Sequence, residues 1–154
     1  MMQSSRPLEE KLVLFWHGHF ATGHQTVKSA YALYLQNQLF RENAAGNFGE
    51  LLHGIVHDPA MLRYLDNHRN VKTHPNENLA REILELFSMG EGNYTEQDIK
   101  EAARALTGNT FDRRSMKAVF RSRVHDNGQK TIFGSIGDWD GDEFEKNLRS
   151  WWRR

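Results

Sequence analysis

The side chains in this sequence best suited to metal or acid–base chemistry are His17, His19, His57, Asp58, His74, Glu77, Glu82 and His125. The chain has no cysteine, so neutral imidazole and carboxylate are the ligands open to zinc, iron or manganese. His17, His19, His57, Glu77 and Glu82 are the candidate ligands of a divalent metal, the one cofactor that these residue types suggest. They are scattered along the chain, and no HExxH or other compact metal motif joins them. Each also has a structural reading. Asp58 stands before Pro59 as a helix cap, Glu77 stands four residues before Arg81, and His125 lies beside a turn signal. His17 and His19 are two apart, which puts them about 200° apart on a helix. Both rings can face one ion only if the helix ends near Trp16, and Gly18 would permit that.

Other chemistries have weaker patterns. Gly90 and Gly92 follow no strand and lack a phosphate-loop pattern, and Ser88 and Ser115 lack a nucleophile elbow. Asp138, Asp140 and Asp142 alternate with Trp139 and Gly141 as in a calcium loop, but without the glutamate and spacing of an EF-hand. Arg113, Arg114, Lys117, Arg121 and Arg123 form a basic cluster that could meet phosphate, or else a solvated face.

The elements that must position these residues are mostly helices. Thr73 to Gly108 reads as two capped helices joined by a glycine-rich turn. Asn76 is the expected N-cap of the first, with Leu79, Ala80, Ile83, Leu84, Leu86 and Phe87 on one broad face and Glu77, Arg81 and Glu85 opposite. Thr95 and Asp98 form a capping-box variant for the second, with Tyr94 and Ile99 as a hydrophobic staple. Upstream, Leu8–Phe20 reads as a helix with Leu8, Leu12, Phe15, Trp16 and His19 on one face. A long helix over Gln25–Asn43 follows, with a stripe of Val27, Tyr31, Tyr34, Leu35 and Leu39. Asn47 and Asp58 start two shorter helices. Beyond Gly108, Val119–Val124 and Lys130–Phe133 flank His125-Asp126-Asn127-Gly128, which predicts a β-hairpin. Gly134–Gly141 reads as a loop and Phe144–Trp152 as a short helix.

The expected fold class is mainly α, a multi-helix orthogonal bundle with one small C-terminal β-hairpin. Residues 1–154 form a single helical domain with a helical core over 8–108, hairpin and loop over 109–143, and an atypical tail over 144–154. The hydrophobic fraction of 38% is low for a chain that buries a full core. Lys and Arg equal Asp and Glu at 20 each, so bulk charge favours neither nucleic acid nor an acidic membrane. No run is long enough for a transmembrane segment, and the first ten residues show no signal-peptide core.

Four segments together resemble the bacterial domain-of-unknown-function 1800 family: LFWHGHFAT, DPAMLRYLDN, NENLAREILELFSMGEGNYTEQDIKEAARALTG, and VHDNGQKTIFG with GDWDGDE. They span roughly residues 8 to 143. The resemblance implies a mainly helical protein, the middle portion of a longer and often exported one, hence a periplasmic or secreted location. It implies no reaction. Asn109 stands where relatives usually carry Trp, and the tail with Trp151 and Trp152 replaces further apolar helices. Two functions follow. One is a helical binding or scaffold module of an exported bacterial protein, whose exposed apolar edges meet missing N- and C-terminal segments, a partner protein or a second copy. The other is a metal-dependent enzyme domain, a hydrolase or oxidoreductase with His and carboxylate ligands.

Overall fold

A computed structural model describes residues 5–151; Trp152 and the side chain of Trp151, read above as part of an atypical tail, lie outside the described residues. The protein is mainly α. Its helices are α1 (Pro7–His19), α2 (His24–Val27), α3 (Ala30–Glu42), α4 (Phe48–Val56), α5 (Pro59–Tyr64), α6 (Asn78–Glu82), α7 (Glu96–Ala105) and α8 (Gly141–Trp151). Two antiparallel strand pairs lie between α7 and α8: β1 (Asn109–Phe111) with β2 (Ala118–Phe120), and β3 (Lys130–Ile132) with β4 (Ser135–Gly137).

Caps set most helix starts. The Asn47 side chain accepts from Gly49 N and Glu50 N, and Asp58 accepts from Met61 N with Pro59 in the first turn. Thr95 and Asp98 exchange both bonds of a capping box. The buried faces of α4, α5, α6 and α7 meet in one apolar core that includes Leu51, Ile55, Leu62, Leu79, Ile83, Ile99 and Ala102, joined by Phe144 and Leu148 of α8.

Several expected boundaries move. The long helix over 25–43 is two, because Lys28 turns into the left-handed region (φ 50°) and Ser29 caps α3 by accepting from Ala32 N. The inward face of α3 is Ala32, Gln36 and Phe40; Tyr31 and Tyr34 are exposed and stack on each other. Gln36 accounts for that rotation, since its amide donates to the buried carboxylate of Asp58 at 2.8 Å. On α1, Val13 is buried, whereas Leu8 and Phe15 are exposed. Asn76 accepts from Asn78 N, but α6 begins at Asn78 and continues as a π-helical turn over Ile83–Ser88.

The expected hairpin around Asp126-Asn127-Gly128 is replaced by the two pairs above. The Asp126 carboxylate does not close a turn between strands; it takes two N–H groups of Arg104 on α7 at 2.7 and 3.1 Å. Val124 O accepts instead from Lys72 N, outside any strand. Strand β3 is held on α7 by acidic side chains: Asp98 accepts from Phe133 N at 2.7 Å and Glu101 from Thr131 N at 3.1 Å. β1 is set by a buried amide pair. Asn67 donates to Leu106 O and Asn109 O, while Asn70 donates to Ala103 O. Finally, α8 begins at Gly141, the last residue of the expected Gly134–Gly141 loop, rather than at Phe144, and Asp140 accepts from Glu143 N at 2.9 Å. That extra turn makes Asp142 a helical residue.

Candidate metal centre

Helix α4 has the sequence FGELLHGIV and buries Leu51, Leu52, Ile55 and Val56. His53 and the C-cap residue His57 are four apart and fall together on its other side; their rings lie 4.6 Å apart. Helix α8 packs against α4 and buries Phe144 and Leu148. Its Asp142 and Glu145, three apart, face the same two imidazoles. The Arg149 guanidinium donates to Gly49 O and fastens α8 to the first turn of α4.

His53, His57, Asp142 and Glu145 each offer a ligand atom within 4.8 Å of the others, the one such group among the described residues. His57 Nδ1 donates to His53 O at 3.0 Å, which leaves Nε2 as its open lone pair. That nitrogen lies 3.4 Å from Asp142 Oδ1. Neighbouring ligands on a tetrahedral zinc with bonds near 2.0–2.1 Å are about 3.3 Å apart, so the pair already has the right separation. His53 Nδ1 and Glu145 Oε2 are 2.7 Å apart. Glu145 is only 2% exposed, and its second oxygen, Oε1, is buried with no hydrogen-bond partner. A buried, unpaired carboxylate oxygen is costly unless something satisfies it.

Burial, and then the neighbouring Asp142, push the Glu145 carboxyl up to about 9, against the pull of Arg149. Burial also lowers His53, helped by the charges of His57, Arg149 and Lys146 and opposed by Asp142. Burial thus disfavours the charged form of each group, although their side chains stand 2.7 Å apart. A divalent cation here would supply the positive charge that burial withholds from Glu145. The donor set of two imidazoles and two carboxylates, with no thiolate, suits zinc or another divalent transition metal.

Two hollows flank these residues. One of about 440 Å³ is lined by His53, His57 and Asp142 together with Asn109, Thr110, Val119 and Phe120. The other, of about 280 Å³, runs between α4 and α8 beside Glu50, Lys146 and Arg149.

Of the ligands expected from sequence, His57 alone joins this group. The structure places the others elsewhere, each with its own surroundings. His17 bonds Asn37 Oδ1 at 3.1 Å and meets Phe40 edge-on. His19 sits among Phe15, Trp16, Phe20, Phe48 and Phe87, with Nε2 at 3.3 Å from Phe87 O. Glu77 pairs with Arg81 at 3.2 Å. Glu82 is half-buried, and burial followed by Glu85 raises its carboxyl. Asp58 is a buried cap, His74 is exposed and bridges to Val71, and buried His125 bonds Thr107 O at 2.8 Å. Sequence reasoning did not single out His53, Asp142 and Glu145, the other three members of this cluster. The signals available were the HGIVH and DEFE spacings, which align each pair on one helix face.

The fold and site thus define a mainly helical domain with a two-histidine, two-carboxylate cluster between its fourth and last helices. The chain belongs to the family described as Protein of unknown function (DUF1800), which it matches over residues 1–150. No curated protein and no solved structure matches it. No helix among the described residues is long and apolar enough to cross a membrane.

Proposed function

We propose that this domain binds a divalent transition metal through His53, His57, Asp142 and Glu145 and serves as a metal-dependent enzyme domain. The observation that carries the reading is the buried Oε1 of Glu145, which accepts no hydrogen bond and lies 3.6 Å from His57 Nδ1, within a cluster whose other ligand atoms come from the same small volume. Such a metal would act as a Lewis acid toward ligands that enter the adjoining hollows. The chain's own residues hold it: α4 supplies both imidazoles, the His53 carbonyl fixes the His57 tautomer, and α8 brings the carboxylates. Metal analysis of the purified chain and zinc titration by calorimetry test this. Glu145→Gln and His57→Ala are expected to weaken zinc binding at least about tenfold, since each removes one ligand. Zinc affinity that is absent, or equal in wild type and both variants, overturns the proposal.

A second reading, a binding or scaffold module, has its own support. Leu8, Leu14 and Phe15 on α1 and Tyr31 and Tyr34 on α3 are all more than half exposed, an apolar surface of the kind that partners cover. The two readings are compatible, because that surface is on α1 and α3 and the metal cluster on α4 and α8. A periplasmic or secreted setting fits both.

A further inference from the structure

We propose that the metal-loaded site binds a small oxyanion, a phosphate or carboxylate group, held between the metal and the cations Lys146 and Arg149. The inference rests on the metal reading above. The smaller hollow is bounded by Glu50, His53, Asp142, Glu145, Lys146 and Arg149. His53, Asp142 and Glu145 are metal ligands, and Lys146 and Arg149 stand on the same helix, one and four residues beyond Glu145. Among the described residues neither cation forms an ion pair. Arg149 spends one N–H on Gly49 O, and its planar fork has further donors to offer.

The charge arithmetic depends on the metal. Without it, the carboxyl groups of Asp142, Glu145 and Glu50 face the two cations. With it, the divalent ion cancels Asp142 and Glu145, and Lys146 and Arg149 are opposed by Glu50 alone. The loaded hollow then carries net positive charge in a partly desolvated groove, which draws anions. Lysine and arginine bind oxygen anions through charge-assisted hydrogen bonds. Asp142 is 58% exposed and so is the ligand best able to yield a coordination position to an entering oxygen. Because both hollows share His53 and Asp142, the remainder of an organic oxyanion can extend toward Val119 and Phe120.

The test is calorimetric titration of the full chain, stoichiometrically loaded with zinc, by inorganic phosphate and separately by acetate. Wild type is expected to bind one or both, and the tighter of the two identifies the oxyanion class. Lys146→Glu is expected to weaken that binding about tenfold, the equivalent of one charge-assisted contact. Lys146 is exposed, so this variant leaves the core packing alone; Arg149→Gln, read with circular dichroism, is the second variant. Zinc affinity is measured first in each protein. If zinc does not bind, this inference and the metal reading fall together. If zinc binds but neither anion does, or Lys146→Glu binds them as wild type does, only this inference is overturned. Equal phosphate affinity with and without zinc also overturns it.

Discussion

Asp126 shows how one carboxylate can hold two parts of the chain together. It accepts from Arg104 Nε and Nη2 and from Gly128 N, and is largely buried. The Arg104 hydrogen bonds hold its carboxyl down at about 2, against burial, below the ordinary value of 3.8. The folded value is depressed, so the stabilisation is full above the unfolded value and is lost as pH falls from about 4 toward 2. Asp126→Asn keeps the bond from Gly128 N but loses the charge. It is expected to cost roughly 1–2 kcal/mol at pH 7, a gap that closes by about pH 2 in urea unfolding. A pH-independent gap would mean that Arg104 gains nothing from the charge. The residues of the histidine–carboxylate cluster teach a different lesson at this scale. His57 was legible because it adjoins the Asp58-Pro59 cap, where the chain visibly restarts. His53 lies inside a run of apolar residues whose helical pattern is complete without it, so nothing local marks it until α8 is placed opposite.

At the scale of elements, capping chemistry was readable and tertiary pairing was not. The start of α7 follows from four residues, Tyr94, Thr95, Asp98 and Ile99, and the structure has both bonds of the capping box. Thr95→Ala is expected to destabilise by roughly 1 kcal/mol. Asp98→Ala is expected to cost more, roughly 2–3 kcal/mol, because the same carboxylate also accepts from Phe133 N and holds β3 on α7. Chemical denaturation of the two variants checks the order; equal midpoints would show that the strand contact contributes nothing. The hairpin was misplaced for a related reason. A turn-rich tetrapeptide between two β-prone runs predicts a hairpin only if those runs pair with each other; here Asp126 closes its local turn to Gly128 N and also binds Arg104, while Ala118–Phe120 pairs with β1 and Lys130–Ile132 with β4. Gly108, just past the end of α7, takes the left-handed conformation that a glycine in that place permits. Its φ is 86°, and a Cβ there would meet Arg121 O at 2.8 Å. Gly108→Ala is therefore expected to destabilise by about 1–3 kcal/mol through strain and displacement of β2, read as a lower midpoint in the same experiment. The start of α8 was hidden in an Asp- and Gly-rich stretch that resembles a loop. Once Asp140 caps it, Asp142 and Glu145 share one face, and half of the histidine–carboxylate cluster appears.

At the scale of the whole molecule, the cluster joins segments about 90 residues apart, α4 near the middle of the helical core and α8 at the end of the described chain. Helix α8 covers the core with Phe144 and Leu148, both fully buried, and is tied to α4 by Arg149. A metal held by two ligands from each helix would add a crosslink between them that the unfolded chain cannot preform. Anything that binds the folded state alone stabilises it by mass action, about 2.7 kcal/mol when the free ligand is at a hundredfold its dissociation constant. For a chain of this size each kcal/mol corresponds to roughly 2–4 °C at the midpoint, so zinc is expected to raise Tm by about 5–10 °C. His57→Ala and Glu145→Gln remove ligands, and a tenfold loss of affinity would cut the rise to about half or less, whereas His17→Ala and Glu77→Gln, which lie outside the cluster, should retain it in full. The contrast is specific. Nonspecific binding to surface carboxylates would raise or lower all the proteins together, and a site at His17 or Glu77 would reverse the pattern. Scanning calorimetry with and without zinc therefore separates the cluster read from the fold from the ligands read from the sequence.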